Sequence, residues 1–284
     1  MTTGSDICRA RFVVSYRGSA FRGAAASVGV RTVVGDLTAA MQRVLGGVEI
    51  DLTLAGRTDA GVHAHGQVIS VDLPATVDLD DLTHRLNRMC APDIAVREPM
   101  WVAADFDARF SAQWRRYRYH VWNAPAVEPL LSDLTWHVPF SLDVDAMNRA
   151  GEALIGEHDF TSFCRVPDVP ESGQVPSMRR RVLDLGWRRR TPPELLRFEI
   201  RGTAFCHQMV RSIVGTLVDV GRGRIDVDAL AAILNAQNRA QAGQVAPPHG
   251  LVLWDVGYDD VGEVQQAPLS SQGSAAGKDR DDSE

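Results

Sequence analysis

The stretch AGRTDAGVHA, residues 55–64, joins two segments that the sequence predicts as strands, 48–54 and 67–73. Both segments are rich in Val, Ile and Leu, which suits half-buried strands. The two glycines of the stretch permit tight backbone geometry, and small neighbours leave the carboxylate of Asp59 accessible. A loop held by strands is a common place for catalytic and binding groups. The alternative is an Asx-turn in which Asp59 only bonds its own backbone.

Outward from this loop, strands and helices are mixed along the whole chain. Further strands are predicted at 9–16, 116–122, 182–187, 195–200 and 251–258, and helices at 32–45, 78–89, 143–155, 205–220 and 226–235. Each half of the chain then combines strands with helices packed on one side, which is an α+β pattern. We predict two similar halves, 1–108 with the Asp59 loop and 109–262, with largely antiparallel sheets that join and a cleft between the halves.

The net charge is unusual for a nucleic-acid-binding protein. The 284 residues include 30 basic and 36 acidic ones, a net charge of −6, whereas such proteins usually have a basic footprint. Five acids and two bases fall in 263–284, which we predict to be a disordered acidic tail. Every other cation is an arginine, which suits phosphate binding and base stacking. A GC-rich genome would also produce this arginine bias.

A second candidate stretch is residues 109–119, RFSAQWRRYRY, with four arginines, four aromatic residues and no acid. Cations that follow phosphates and rings that stack on bases are typical of single-stranded nucleic acid binding. If 116–122 is a strand, the residues Tyr117, Tyr119 and Val121 share one face and Arg116, Arg118 and His120 the other. The alternative is a strand with a tyrosine core face and a solvated arginine face.

A third candidate is the apolar helix predicted at 205–220, which Arg211 interrupts. A buried arginine needs an acidic or phosphate partner, which a purely structural acid would also satisfy. His207 lies four residues earlier, on the same predicted helix face. Two arginine runs, 179–181 and 188–190, flank a predicted strand and suit either RNA contacts or solvated loops.

Several function classes lack their motifs. The sequence has no Gly-Lys-Ser/Thr phosphate loop, no Gly-x-Gly-x-x-Gly and no Gly-x-Ser-x-Gly. The four cysteines have neither metal-ligand nor redox spacing and are predicted to be free thiols. His63 and His65 lack a third metal ligand at a suggestive spacing. No apolar run approaches the roughly 18 residues of a membrane span, and no signal peptide is apparent, so a cytoplasmic location without membrane contact is expected.

Several of these blocks together resemble the bacterial tRNA pseudouridine synthase A family. The resemblance covers about residues 9–260 and rests on 55–64 (AGRTDAGVHA), 108–111 (ARFS), 115–119 (RRYRY), 159–163 (DFTSF), 204–215 (AFCHQMVRSIVG) and 250–253 (GLVL). It implies the pseudouridine synthase fold and the isomerisation of uridine to pseudouridine at positions 38–40 of the tRNA anticodon arm. It also implies a homodimer with a basic cleft, and neither cofactor nor metal.

The resemblance also assigns roles to individual residues. Asp59 would be the nucleophile on a flipped-out uridine and would attack either the ribose C1′ or the base. Tyr117 would stack on the target base and assist removal of the C5 proton. Arg211 would pair with Asp59 and orient its carboxylate. Arg57 would hold the place of the extruded nucleotide, and Leu251 would line the uracil pocket.

The sequence departs from the family pattern near its N-terminus. The family usually has Tyr-Asp-Gly followed by Gly-Trp-Gln, whereas this chain has Tyr-Arg-Gly at 16–18 and Gly-Ala-Ala at 23–25. Two further hypotheses stay open, and the first of them is motivated by these departures. One is a non-catalytic RNA-binding or RNA-chaperone module. The other is a metal-dependent phosphodiesterase that uses Asp59, His63 and His65.

Overall fold

The computed structural model describes residues 6–165 and 176–259, so the predicted tail over 263–284 lies outside the described residues. The strands here are β1 (Ile7–Tyr16), β2 (Thr53–Leu54), β3 (His63–Pro74), β4 (Ile94–Val102), β5 (Ala112–Trp122), β6 (Trp136–His137), β7 (Gly156–Asp159), β8 (Arg179–Arg189), β9 (Leu195–Gly202) and β10 (Leu251–Tyr258). The helices are α1 (Val33–Val44), α2 (Leu79–Cys90), α3 (Val144–Gly151), α4 (Met209–Gly221) and α5 (Ala229–Asn235). In this part of the chain no helix is long and apolar enough to cross a membrane.

The ten described strands form a single sheet. Its main path runs β4-β1-β3-β10-β5-β9-β8-β7, with β2 paired to β3 and β6 paired to β5. The pairs β10–β3 and β6–β5 are parallel and the others antiparallel. The final strand, β10, thereby joins the early strands to the later ones. The predicted α+β class with a joined, largely antiparallel sheet is confirmed, whereas the division at residues 108 and 109 stays a prediction.

The two faces of the sheet have different coverings. In β1, Phe12 and Val14 belong to the large hydrophobic cluster that includes buried apolar residues of all five helices. Val13 instead packs in a small cluster with Phe106 and Ala108. Because successive strand residues point to opposite faces, the helices cover one face, as predicted. The loop between β4 and β5 covers part of the other.

Three helices begin at side-chain caps. The Thr32 hydroxyl accepts a hydrogen bond from the Gly35 backbone N–H at 3.1 Å at the start of α1. The carboxylates of Asp78 and Asp143 accept backbone N–H groups in the same way at the starts of α2 and α3. Such caps satisfy backbone donors that the first helical turn leaves free. The predicted starts of these helices are therefore confirmed.

The start of α4 differs from its prediction. The periodicity predicts a helix from residue 205, but α4 begins at Met209. The reason is Gln208, whose φ of +63° lies in the left-handed region and cannot continue a right-handed helix. All residues of α4 except Arg211 are buried, as expected of a helix that is apolar on nearly all sides. Residues 204–208 therefore form a separate segment that leads into the helix.

Several strand boundaries also differ from their predictions. Only Thr53 and Leu54 of the predicted 48–54 strand pair with β3, since residues 48 and 49 are exposed. β3 begins at His63 rather than 67, within the loop motif itself. β4 has no predicted counterpart, because Glu98 with a φ of +50° interrupts its alternation. Residues 156–159 form β7, which also has no predicted counterpart.

Candidate active site

The loop with Asp59 is a tight reversal between β2 and β3. The Val62 backbone N–H donates to the Asp59 carbonyl at 3.1 Å, and Gly61 has a φ of +81°. A Cβ at Gly61 would lie 3.0 Å from the Pro248 ring, so a side chain there would meet both backbone strain and crowding. The glycine thus lets the chain turn closely past residue 248 directly after Asp59.

Buried hydrogen bonds hold the base of this loop. Gln67 of β3 accepts the Gly56 backbone N–H at 3.1 Å and donates to the Gly56 carbonyl at 2.6 Å. Its amide also donates to the Tyr16 hydroxyl at 3.4 Å, which shares a 2.8 Å hydrogen bond with the Thr58 hydroxyl. Burial raises the pKa of Tyr16 to about 12, so this phenol stays neutral. The network orders the loop.

The carboxylate of Asp59 faces two basic side chains. Its Oδ2 accepts a hydrogen bond from Arg211 Nη1 at 2.9 Å, and its Oδ1 lies 3.4 Å from His207 Nε2. The Arg211 side chain is 13% exposed and that of Asp59 22% exposed, so the pair is shielded from water on most sides. Such a charge-assisted contact orients a carboxylate strongly. The Asp59 carboxylate therefore contacts side chains that are distant in the sequence rather than the backbone of its own turn.

Arg211 and His207 reach Asp59 from different elements. Arg211 lies in the first turn of α4, where its Nε donates to the Ala246 carbonyl at 2.7 Å. His207 comes from the segment before α4, so the prediction that the two share a helix face is wrong. They nevertheless converge on one carboxylate. Sequence reasoning did not assign His207 to the site, because the left-handed Gln208 that separates it from the helix has no clear sequence signal.

A cavity of about 530 Å³ opens at Asp59. It is lined by all five residues to which the family resemblance assigns a role: Arg57, Asp59, Tyr117, Arg211 and Leu251. A volume of this size is typical of a small-ligand site. The pairing of β5 with β10 and the packing of α4 bring these distant residues together.

Tyr117 forms an aromatic wall of the cavity. Its ring meets the Phe205 ring edge-on, with centroids 5.2 Å apart at 86°. Burial raises the pKa of Tyr117 well above its usual range, so its hydroxyl keeps its proton. The residue thus offers an apolar ring and a neutral hydroxyl. Phe205 was not predicted as a site residue.

Leu251 and Arg57 differ in their surroundings. Leu251 is buried at the start of β10, opposite Tyr119 of β5, and gives the cavity an apolar patch. Arg57 is exposed in the loop beside Asp59. The cavity thus combines an apolar wall with charged groups, which suits a flat polar ring attached to an anionic chain.

Some arginines of the arginine-rich stretches line the cavity, and others lie on the opposite face of the sheet. Arg109, Arg115 and Arg180 line the cavity. Arg115 is buried and donates to the backbone carbonyls of four residues: Ala55, Arg109, Ala112 and Thr203. It therefore ties the loop base to the end of β9. Burial lowers the pKa of Arg115, with no carboxylate among its hydrogen-bond partners in the described residues.

Other arginines of these stretches lie on the opposite face of the sheet. Arg118 donates to Glu199 at 2.7 Å and lies 3.7 Å from the centroid of the Trp254 ring. Arg116 pairs with Asp255. The predicted division of β5 is confirmed, since the buried Tyr117 belongs to the large helix-side core. Arg116 and Arg118 are therefore not among the residues that line the cavity.

The residues of the metal hypothesis do not converge. The His63 Nδ1 accepts the Gly18 backbone N–H at 3.1 Å, and burial lowers the pKa of His63. His65 stacks on Trp254 with centroids 4.2 Å apart, while Asp59 pairs with Arg211. Within 6–165 and 176–259, no three His, Cys, Asp or Glu residues are grouped as metal ligands.

The unusual N-terminal residues pack beside the Asp59 loop. The backbone N–H of Ala24 donates to the Thr58 carbonyl at 3.2 Å, and the Ala24 side chain is fully buried. Arg17 forms an exposed ion pair with Asp133 at 3.2 Å. The departures from the family pattern thus leave a well-packed support for the loop.

The chain matches a known class of RNA-modifying enzymes. A family model described as tRNA pseudouridine synthase matches residues 150–259, which include α4 with Arg211 and β10 with Leu251. The matched region thus contributes one side of the cavity, opposite the Asp59 loop.

Curated relatives extend the match over most of the chain. A tRNA pseudouridine synthase A of Frankia casuarinae is 43% identical over 91% of this chain and 91% of its own. The enzyme of that name from Halalkalibacterium halodurans is 40% identical over 84% of this chain and 88% of its own. That from Cutibacterium acnes is 39% identical over 91% of each. The chain belongs to the tRNA pseudouridine synthase A family.

Proposed function

We propose that this protein converts uridine to pseudouridine at positions 38–40 of the tRNA anticodon stem-loop, with Asp59 as the nucleophile. The broader activity follows from the family: the chain is an isomerase that forms pseudouridine in tRNA. The anticodon positions come from the sequence resemblance. The assignment of Asp59 as the nucleophile rests on one observation. Its carboxylate contacts Arg211 and His207, and it lines a cavity that also has an apolar wall.

The reaction needs the glycosidic bond outside the helical stack. A stacked uridine hides that bond, so the enzyme must extrude the nucleotide into a pocket. The cavity of about 530 Å³ can receive one nucleoside. In this proposal Tyr117 stacks on the uracil, and Leu251 lines the pocket that holds it. Arg57 occupies the place in the RNA that the extruded nucleotide has left.

The chemical steps follow from the cavity residues. The Asp59 carboxylate attacks either the ribose C1′ or the uracil ring, and the bond from N1 to C1′ breaks. The base turns and rejoins through C5, and the bond between Asp59 and the substrate breaks, which regenerates the carboxylate. C5 loses its proton while N1 gains one. The raised pKa of Tyr117 keeps its hydroxyl protonated, so it enters this exchange as a hydrogen-bond donor or relay rather than as an anionic base. We expect no cofactor or metal.

The partners in this proposal are tRNA and a second copy of the chain. In the cavity wall, Arg109 and Arg180 are placed to meet the phosphates that flank the target. A homodimer would extend the contact with the anticodon stem beyond one chain. The cytoplasm, where tRNA is modified, is the proposed location.

The direct test replaces Asp59 by asparagine, which keeps the shape and removes the charge. We expect Asp59→Asn to lower the rate of pseudouridine formation in an anticodon stem-loop by roughly 10⁴-fold or more. The same RNA should still bind, because Tyr117 and Arg57 remain.

A matched control is Asp184→Asn, since Asp184 pairs with Arg201 at 2.7 Å and is not among the cavity residues. This variant should convert the RNA at the wild-type rate. Comparable turnover by Asp59→Asn and Asp184→Asn would reject Asp59 as the nucleophile.

A further inference from the structure

One exposed aromatic ring lies beside the cavity without lining it. Phe110 is 79% exposed, and among the described residues only Phe110 and Phe140 are aromatic side chains that the fold leaves exposed. The guanidinium carbon of Arg109, which lines the cavity, lies 5.3 Å from the centroid of the Phe110 ring. The ring therefore stands at the rim of the cavity, where neither the core nor the proposed reaction uses it.

The turn that carries Phe110 is firmly held. The Asp107 carboxylate accepts the backbone N–H groups of Arg109 and Phe110, each at 2.8 Å. Between them and Asp107, Ala108 is fully buried, and its carbonyl accepts a hydrogen bond from the Tyr258 hydroxyl at 2.6 Å. A side chain on a pre-ordered backbone loses less conformational freedom on binding, which favours affinity. The fold thus presents this apolar ring to solvent on a fixed support.

The surroundings of the ring suit an anionic partner. Five arginines line the cavity: Arg57, Arg109, Arg115, Arg180 and Arg211. Asp59 is the one carboxylate among the described residues that line it. Cations next to exposed rings are typical of surfaces for single-stranded nucleic acid, where phosphates meet the cations and bases stack on the rings. An exposed ring at this positive rim therefore fits a nucleobase better than it fits an apolar protein face.

We propose that Phe110 stacks on a base of the anticodon loop that neighbours the flipped-out uridine. This inference rests on the proposed function. Extrusion of the uridine takes a stacking partner away from the adjacent bases. The Phe110 ring replaces that partner outside the cavity while the target lies inside it. Arg109, which borders both the ring and the cavity, meets the phosphate that joins the two nucleotides.

The first test measures stacking without turnover. The protein carries Asp59→Asn, and its Kd is measured for an anticodon stem-loop and for two RNAs that each lack one base beside the target. We expect the loss of one of these bases to weaken binding by about 5- to 100-fold. With Phe110→Ala added, the intact RNA should bind correspondingly more weakly, and removal of that base should cost little more, as in a double-mutant cycle of contacting groups. Additive losses for both RNAs would overturn the proposal.

The second test uses steady-state kinetics on the intact stem-loop. Phe110→Ala should raise KM by about 5- to 100-fold with little change in kcat, because the stacked base is not the one that reacts. Phe110→Trp should restore KM, and Phe110→Leu, which is apolar but has no ring, should not. The control is Phe140→Ala, since Phe140 is 53% exposed, lies under the Arg222 guanidinium at 4.1 Å and does not line the cavity. A KM of the wild-type value in Phe110→Ala would overturn the inference.

Sedimentation velocity separates this role from a contact between two copies of the chain. Phe110→Ala should keep the oligomeric state of the wild type. A changed state would assign the ring to a protein interface and overturn the proposal. An active wild type that is indifferent to Phe110 removes only this inference, whereas a wild type that makes no pseudouridine would contradict the proposed function.

Discussion

At the scale of residues, the site depends on how one carboxylate is held. Asp59 lies between Arg211 and His207, while Arg211 is itself fixed by the Ala246 carbonyl at 2.7 Å. The guanidinium thus donates one hydrogen bond from Nη1 to the Asp59 carboxylate and another from Nε to the Ala246 carbonyl. A planar fork with several donors can make both bonds, and an ammonium on a flexible stem cannot make both in this geometry.

Arg211→Lys should therefore keep the positive charge but lose the orientation of Asp59. We expect kcat to fall by about 10- to 100-fold with little change in KM, because the loss concerns alignment rather than RNA contact. Steady-state kinetics on an anticodon stem-loop would measure both constants. Arg201→Lys, outside the cavity, is the control. A KM effect without a kcat effect in Arg211→Lys would show that Arg211 binds RNA instead of orienting Asp59.

At the scale of elements, α4 and the segment beside it form one support for the site. A Cβ at Gly215 of α4 would lie 1.8 Å from the Gln244 carbonyl oxygen, so the two backbones touch. Two residues further along, Ala246 makes hydrogen bonds to both the side chain and the backbone of Arg211. The glycine therefore sets the distance between the helix and the chain that fixes Arg211.

Gly215→Ala should push this segment away from α4. We expect the free energy of unfolding to fall by about 1 to 3 kcal/mol, as in other overpacked interiors, with a lower kcat as well. Chemical denaturation would measure the first and the tRNA assay the second. In Gly186→Ala, the control, the nearest atom to the new Cβ is 3.7 Å away, so its stability should be maintained. Equal stability of the two variants would contradict the close packing.

The sequence predicts elements well where one periodicity dominates. The caps at Thr32 and Asp143 and the whole of β10 are confirmed. It fails where backbone conformation departs from the local pattern, as at Gln208 before α4 and Glu98 within β4. The loop of Asp59 was found from its motif, whereas the contact with His207 and the structural bonds of Arg115 depend on tertiary neighbours far away in sequence.

At the scale of the whole molecule, the continuous sheet separates two charged regions. Arg57, Arg109 and Arg180 line the cavity. On the opposite face of the sheet, Arg116 and Arg118 form ion pairs with Asp255 and Glu199. A net charge of −6 is therefore compatible with local positive charge at the site. The arrangement of the arginines, rather than their number, makes RNA binding physically reasonable.

The same sheet also makes stability depend on pH through His120 of β5. Burial lowers the pKa of His120 to about 4, with further lowering by Arg197, Arg118 and His63. The unfolded chain binds this proton near pH 6.5, so acid favours unfolding as the pH falls from 7 towards 4. We expect this one group to lower the free energy of unfolding by roughly 2 kcal/mol over that range.

Chemical denaturation at several pH values would measure this effect. His120→Asn should lose less stability in acid than the wild type, whereas His84→Asn, which replaces an exposed histidine, should follow the wild type. Identical pH curves for the wild type and His120→Asn would contradict a partly buried, neutral His120.

The central claim is that this protein forms pseudouridine at positions 38–40 of tRNA through Asp59. The most direct measurement maps pseudouridine in tRNA from cells that lack the protein and from cells that carry it. The account predicts that pseudouridine at these positions disappears without the protein and returns with the wild-type chain, but not with Asp59→Asn. Unchanged pseudouridine at 38–40 in cells without the protein, or full recovery with Asp59→Asn, would contradict it.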